Sequence, residues 1–123
     1  MTLGWILLGR QPVRAPDLET YHWANRLPVK HRRVAARKYR DPLGVVVSIS
    51  TCFVGSTLQF DLETGEPLLF ETLITGGSKD GWSCRTADWD SAEAAHQRGV
   101  VVAFAALNSK TVSPVSLAGV GDA

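Results

Sequence analysis

The sequence predicts a single α+β domain: an antiparallel sheet of about four strands packed against a long C-terminal helix, with a shorter helix near the N-terminus. Three observations carry this reading. Residues 45–55 (VVVSISTCFVG) and 68–75 (LLFETLIT) are apolar runs rich in β-branched residues, whose side chains alternate between two faces. A turn-rich segment, 56–67, separates them, so an antiparallel hairpin with a long tip is the economical pairing. A helix-start signal, DWDSAE at 88–93, follows.

Length and composition agree. The chain has 123 residues, 45% hydrophobic and 20% charged, enough to bury a core without staples. Residues 1–107 read as the domain, and 108–123, rich in Ser, Gly and Val, as a loose tail. Formal net charge is +1, which gives the whole molecule no nucleic-acid signature. No apolar run approaches the roughly 20 residues that a spanning helix needs.

The elements follow in order. Residues 3–8 (LGWILL) suit a buried first strand rather than a signal segment, since no basic residue precedes them. Gly9, Pro12 and Pro16 then predict an irregular connection. Asp17 is placed to cap a short helix over 17–26, and Pro28 ends it. Residues 34–39 (VAARKY) fit either a strand or a turn or two of helix. Asp41, Pro42, Leu43 and Gly44 form a turn: proline fixes φ and glycine allows a positive one.

In the hairpin, alternation puts Val45, Val47, Ile49, Thr51 and Phe53 on the core face, with Ser48, Ser50 and Cys52 on a wetter one. Leu68, Phe70, Thr72 and Ile74 form the matching apolar set. Residues 82–86 read as a short return strand after the glycines at 76, 77 and 81. The second helix starts at Asp88 or Asp90 and carries a stripe through Trp89, Ala92, Gly99 and Ala103. Trp89 is expected to anchor it to the sheet and His96 to pack on the sheet edge. Gly99 and the following valines weaken it, so a rival reading stops the helix there and makes 100–107 a strand.

Charge is polarised along the chain. Seven of the thirteen Lys and Arg residues, Arg26, Lys30, Arg32, Arg33, Arg37, Lys38 and Arg40, fall in one segment, with no acid between Glu19 and Asp41. Such a segment is either a solvated basic face or a patch for phosphates or an acidic partner. Trp23 and Tyr39 lie close enough in sequence to stack on bases.

No catalytic constellation is assembled in the sequence. Cys52 sits mid-strand, and no spacing ties His22, His31 or His96 to it as a base, so it reads as a structural thiol. Two cysteines make no disulfide framework, and the Cys and His residues lack metal-ligand spacing, so no cofactor or metal is expected. A reducing cytoplasm is the simpler setting. Glu71 is unusual within an apolar strand: it must face water or pair with an arginine of the basic segment. With Ser50 and Cys52 it defines a third, sheet-face site.

The segments VSISTCFVG, LLFETLITGG and CRTADWDSAEAAHQRGV resemble small, functionally uncharacterised proteins encoded by phages and prophages of actinobacteria. The resemblance rests on a strand of the type VSTVFLG, one like LFETMVFGG and a helix like WDEAEAGH. It covers roughly residues 47–100, through Ser50, Thr51, Phe53, Gly55, Leu69, Phe70, Glu71, Thr72, Gly76, Gly77, Trp89, Ala92, Glu93, Ala94 and His96. Cys52 departs from it, standing where that pattern has an apolar residue. The chain also has Ser56 and Thr57 where an aspartate and a histidine often follow the first strand. The resemblance implies a mobile-element origin and a host-cell cytoplasmic site of action, and no activity.

The expectation is therefore a non-enzymatic accessory protein that binds a host or phage macromolecule through the basic segment, with no membrane role. Direct nucleic-acid binding through the same residues is the alternative, and a virion-associated structural role is another. Oligomeric state is open.

Overall fold

The computed structural model describes residues 4–108. Its main body is a four-stranded antiparallel sheet in the order β3-β4-β5-β6, made of Arg33–Arg40 (β3), Val46–Phe53 (β4), Phe70–Thr75 (β5) and Ser83–Thr86 (β6). A 20-residue helix, α2 (Trp89–Asn108), lies across all four strands. The α+β architecture is the one the sequence predicts.

The hairpin register follows the alternation. Val47, Ile49, Thr51 and Phe53 of β4, and Phe70, Thr72 and Ile74 of β5, are all buried beneath α2. Val45 lies ahead of the strand and is exposed, because the turn before it occupies solvent. That turn has the anticipated chemistry. Asp41 Oδ1 accepts from the backbone N–H groups of Leu43 and Val45, both at 2.9 Å, and Gly44 takes φ +85°. The ambiguous VAARKY segment is strand, since it forms the bulk of β3 and pairs with β4.

One continuous helix replaces the rival strand at 100–107. Tertiary burial overrides the weak propensity of the valines, because Val100 and Ala103 face the sheet one turn apart. Gly99 has a packing reason to be there. A Cβ at that position would stand 3.2 Å from Ile49 Cγ2, 3.2 Å from Thr72 Cγ2 and 3.3 Å from Trp82 Cζ3. The helix backbone therefore rides close on the two central strands. Asp88 caps its start, accepting from Ser91 N at 2.8 Å. Asn108, assigned by sequence to the tail, closes the helix, and residues 109–123 lie outside the described residues.

The core has two apolar clusters. Tyr39, Val47, Ile49, Ile74, Val100 and Ala103 form one, and Phe53, Leu69, Phe70 and Ala92 the other. Burying each large side chain of this kind stabilises the fold by about 1.5–3 kcal/mol. Trp89 anchors α2 to the second cluster, meeting Phe70 edge-on with centroids 6.1 Å apart.

The N-terminal region departs from the reading of a buried strand and an irregular connection. Trp5–Leu8 (β1) and Gln11–Arg14 (β2) form a separate two-stranded antiparallel ribbon. Only Ile6 of β1 is buried, although Trp5 and Leu7 help to close the second cluster. Pro12 is tolerated in β2 because that strand has a single partner, leaving an edge where no N–H is required. Leu18–Asn25 (α1) follows, with Asp17 Oδ1 accepting from Thr20 N at 2.7 Å as its cap. A short 3-10 turn, Val29–His31, leads into β3.

Candidate functional site

The strand register divides the basic segment between two sides of the sheet. With α2 on one side, the opposite face carries Arg33, Ala36, Lys38 and Arg40 from β3, and Val46, Ser48, Ser50 and Cys52 from β4. Beside them lie Glu71, Leu73 and Thr75 from β5, and Ser83 and Arg85 from β6. Among the described residues no side chain on this face is buried. On the central strand β4 it carries Ser48 and Ser50, short side chains that stand beside Ala36 and Lys38 of β3. Its β3 margin bears Arg33, Lys38 and Arg40, all exposed and without an acidic partner among the described residues.

The other four cations have different places. A bulge at Val34 shifts the register, tucks Val34 toward the second core cluster and leaves Arg33 opposite Cys52 on the open face. Arg37 lies opposite Ile49 on the helix side, where its charge acts on His96. Arg32 is half-buried, with Nη1 donating to the Phe53 carbonyl at 3.5 Å and Nε without a partner. Arg26 closes α1, its Nε donating to the His22 carbonyl at 3.2 Å, and Lys30 sits in the 3-10 turn. The seven residues expected to form one patch therefore do not: strand alternation and the Val34 bulge together bring three of them to the open face.

Tyr39 is corrected as a stacking residue. Its register partner is Val47, which turns the ring into the core, where it lies against Phe104 with centroids 5.2 Å apart. That ring is not exposed to a nucleobase. Trp23 is exposed, but on α1, which belongs to a different part of the surface.

The sheet-face group of Ser50, Cys52 and Glu71 is brought together as read, within a cross-strand row of Arg33, Cys52, Glu71 and Arg85. Glu71 finds its ion-pair partner in Arg85 of β6, Nε to Oε2 at 3.3 Å, and not in the basic segment. A β6 neighbour directly opposite in register outcompetes a strand two places away. Arg85 also donates from Nη1 to the Thr57 hydroxyl and the Leu68 carbonyl, each at 3.3 Å. Burial pushes the Cys52 thiol above its ordinary value and Glu71 adds to that, against a lowering by Arg33 and Arg32. The thiol is thus protonated at neutral pH, the wrong state for a nucleophile. Cys84 belongs to the opposite face, beside Arg98, so the two cysteines are not paired.

His96 is buried, and not at the sheet edge. Its Nδ1 is 2.9 Å from the Thr51 hydroxyl, which is 2.7 Å from the Thr72 hydroxyl. This chain of polar groups sits on the two central strands between the apolar clusters. Burial, and secondly the charge of Arg37, hold the imidazole below its usual pKa. The sheet separates it from Cys52, so the two do not form a nucleophile–base pair.

A second surface feature escaped the sequence reading. A cleft of about 420 Å³ opens between α1 and the 56–67 segment, lined by Trp5, Leu18, Tyr21, Leu58, Phe60 and Pro67 among others. Arg14 borders it, its guanidinium 5.0 Å above the Trp5 ring. The signal was present in Leu58, Phe60 and Leu62, large apolar residues at alternate positions of a loop rich in turn formers. Among the described residues, no group of three or more His, Cys, Asp or Glu residues is placed to hold a metal. None of the described helices is long and apolar enough to cross a membrane.

Comparison with protein-family models, curated proteins and solved structures finds no match.

Proposed function

We propose that the protein is a non-enzymatic binding module that takes an acidic macromolecular partner on its open sheet face, with Arg33, Lys38 and Arg40 as the contact. One observation carries this: three exposed cations without acidic partners stand along one margin of a sheet face with no buried side chain among the described residues. Such a surface supplies steering and register to a charged partner. The chemistry-bearing side chains on the same face support binding over catalysis, because Glu71 is held by Arg85 and the Cys52 thiol is protonated. A protein partner is favoured over nucleic acid, since Tyr39 is turned inward and the open face presents no aromatic ring for stacking among the described residues. Origin in an actinobacterial phage or prophage, and action in the host cytoplasm, rest on the segment resemblance alone.

The test is capture from actinobacterial lysate by the tagged protein, with and without nuclease, alongside an Arg33→Glu/Lys38→Glu/Arg40→Glu variant. A protein that survives nuclease and is lost with the variant is the expected result. Nuclease-sensitive capture would replace this reading with nucleic-acid binding. Capture unchanged by the variant would move the contact elsewhere.

A further inference from the structure

The free margin of the sheet is the outer edge of β3, and its backbone has a defined orientation. Asp41 N donates to the Val45 carbonyl at 2.9 Å, so the residues of β3 whose backbone groups point at β4 are the odd ones: Ala35, Arg37 and Tyr39. The same alternation runs through the sheet. Val54 N donates to Leu69 O at 2.8 Å, and Ile74 N donates to Trp82 O at 2.9 Å. Ala36, Lys38 and Arg40 therefore direct their backbone N–H and C=O groups outward. These are also the residues whose side chains stand on the open face. No hydrogen bond to that outer edge occurs among the described residues. The other margin, β6, is only four residues long against eight in β3.

We infer that an extended acidic polypeptide segment adds to β3 as a fifth strand, its backbone pairing with Ala36, Lys38 and Arg40 and its alternate carboxylates meeting Lys38, Arg40 and Arg33. This rests on the binding-module reading above and gives the partner its chemistry. Two physical points choose the occupant. A sheet edge with unpaired backbone groups is a template for any extended chain, and edge cations are one device that keeps like chains away. A second copy of this strand would set Arg and Lys against Arg and Lys, and like charges directly opposite are destabilising. The same residues set against Asp or Glu become favourable cross-strand pairs, while the backbone supplies the remaining affinity. The charge pattern thus rejects self-pairing and admits an acidic strand. Ala36, between the cations, leaves room for the incoming side chain that faces it.

The experiment uses the full chain, isotopically labelled, and a synthetic peptide of alternating Glu and Val. Two companions accompany it: the same peptide N-methylated at every second residue, and inorganic polyphosphate as a polyanion that lacks a peptide backbone. The alternating peptide should bind, slow amide exchange at Ala36, Lys38 and Arg40, and weaken as salt is raised. N-methylation on the pairing edge should weaken it by about tenfold or more, since several backbone hydrogen bonds are lost together. Polyphosphate should bind without protecting those amides. Binding that is equal for the methylated peptide, or that leaves the three amides unprotected, overturns strand addition. It does so without touching the binding-module reading, which falls if capture is lost with nuclease or if the triple-charge variant captures its partner as wild type does. Absence of any binding by the alternating peptide also overturns the inference.

Discussion

Replacing Thr51 by valine removes one hydroxyl and almost no volume, so it isolates the polar chain that links the two halves of the core. Thr51 is fully buried and stands within hydrogen-bond distance of both His96 Nδ1, at 2.9 Å, and the Thr72 hydroxyl, at 2.7 Å. With His96 neutral and protonated on Nε2, Thr51 donates to the ring and accepts from Thr72. Thr51→Val strands both partners. Each buried polar group left unpaired costs about 1–3 kcal/mol, so the variant, which strands two, should lose roughly 2–6 kcal/mol. Thr72→Val leaves the Thr51–His96 contact standing and should cost only about 1 kcal/mol. The double variant should cost less than the sum of the two, because removing the Thr72 hydroxyl removes one of the groups that Thr51→Val orphans. Urea unfolding followed by circular dichroism measures all three, with the slope checked for constancy. Thr51→Val within about 0.5 kcal/mol of wild type, the range of an ordinary surface change, would refute the reasoning. The same site sets a pH dependence. Burial holds the folded His96 below the ordinary histidine pKa of about 6.5, so above 6.5 the buried neutral ring costs nothing. As pH falls below 6.5 the unfolded chain takes up the proton first, and stability declines until the folded pKa is reached. His96→Gln should flatten that part of the profile, and an unchanged slope would contradict the assignment.

Three other expectations follow from single contacts. Gly99→Val should destabilise the fold by about 1–3 kcal/mol, because its side chain must enter space already taken by Ile49, Thr72 and Trp82; Gly99→Ala should fall nearer neutral, its roughly 1 kcal/mol of helix propensity offsetting a smaller intrusion. A Gly99→Val protein as stable as wild type would show that α2 is not held so close. Asp88→Ala should cost about 1 kcal/mol through loss of the α2 cap to Ser91, read as a lower urea midpoint, whereas no change would mean the cap is replaced by solvent. Cys52 should alkylate with iodoacetamide at pH 7 more slowly than an unstructured cysteine, since burial disfavours its thiolate, and faster alkylation would indicate an activated nucleophile.

Periodicity carried most of the sheet. The alternation of VVSISTCF and FETLIT identifies the buried faces of β4 and β5, and the turn chemistry at Asp41–Gly44 marks where β4 begins, but the pattern fails just ahead of β5, where Leu69 and not Leu68 is buried. It could not say where β3 turns its cations, because one bulge at Val34 reverses which residues share a face, and nothing in RRVAARKYR marks a bulge. Tyr39 was misread for the same reason, since an aromatic in a basic run looks accessible until its register is known. Gly99 read as a weakness of the helix, whereas its cause is tertiary: three side chains from other elements crowd its missing Cβ. Glu71 reads as a constrained polar residue and His96 only as a residue of the sheet edge; their partners lie 14 and 45 positions away, and local sequence does not encode such distances. The N-terminal ribbon was missed because two prolines argue against a strand unless its neighbour is known to lie on one side only.

Amide hydrogen exchange of the free and partner-bound protein tests the proposed contact along β3. New protection is expected at Ala36, Lys38 and Arg40, with little change at Trp23 on α1 or around the cleft at Leu58 and Phe60. Protection confined to the cleft or α1, with the β3 amides exchanging as in the free protein, would contradict it.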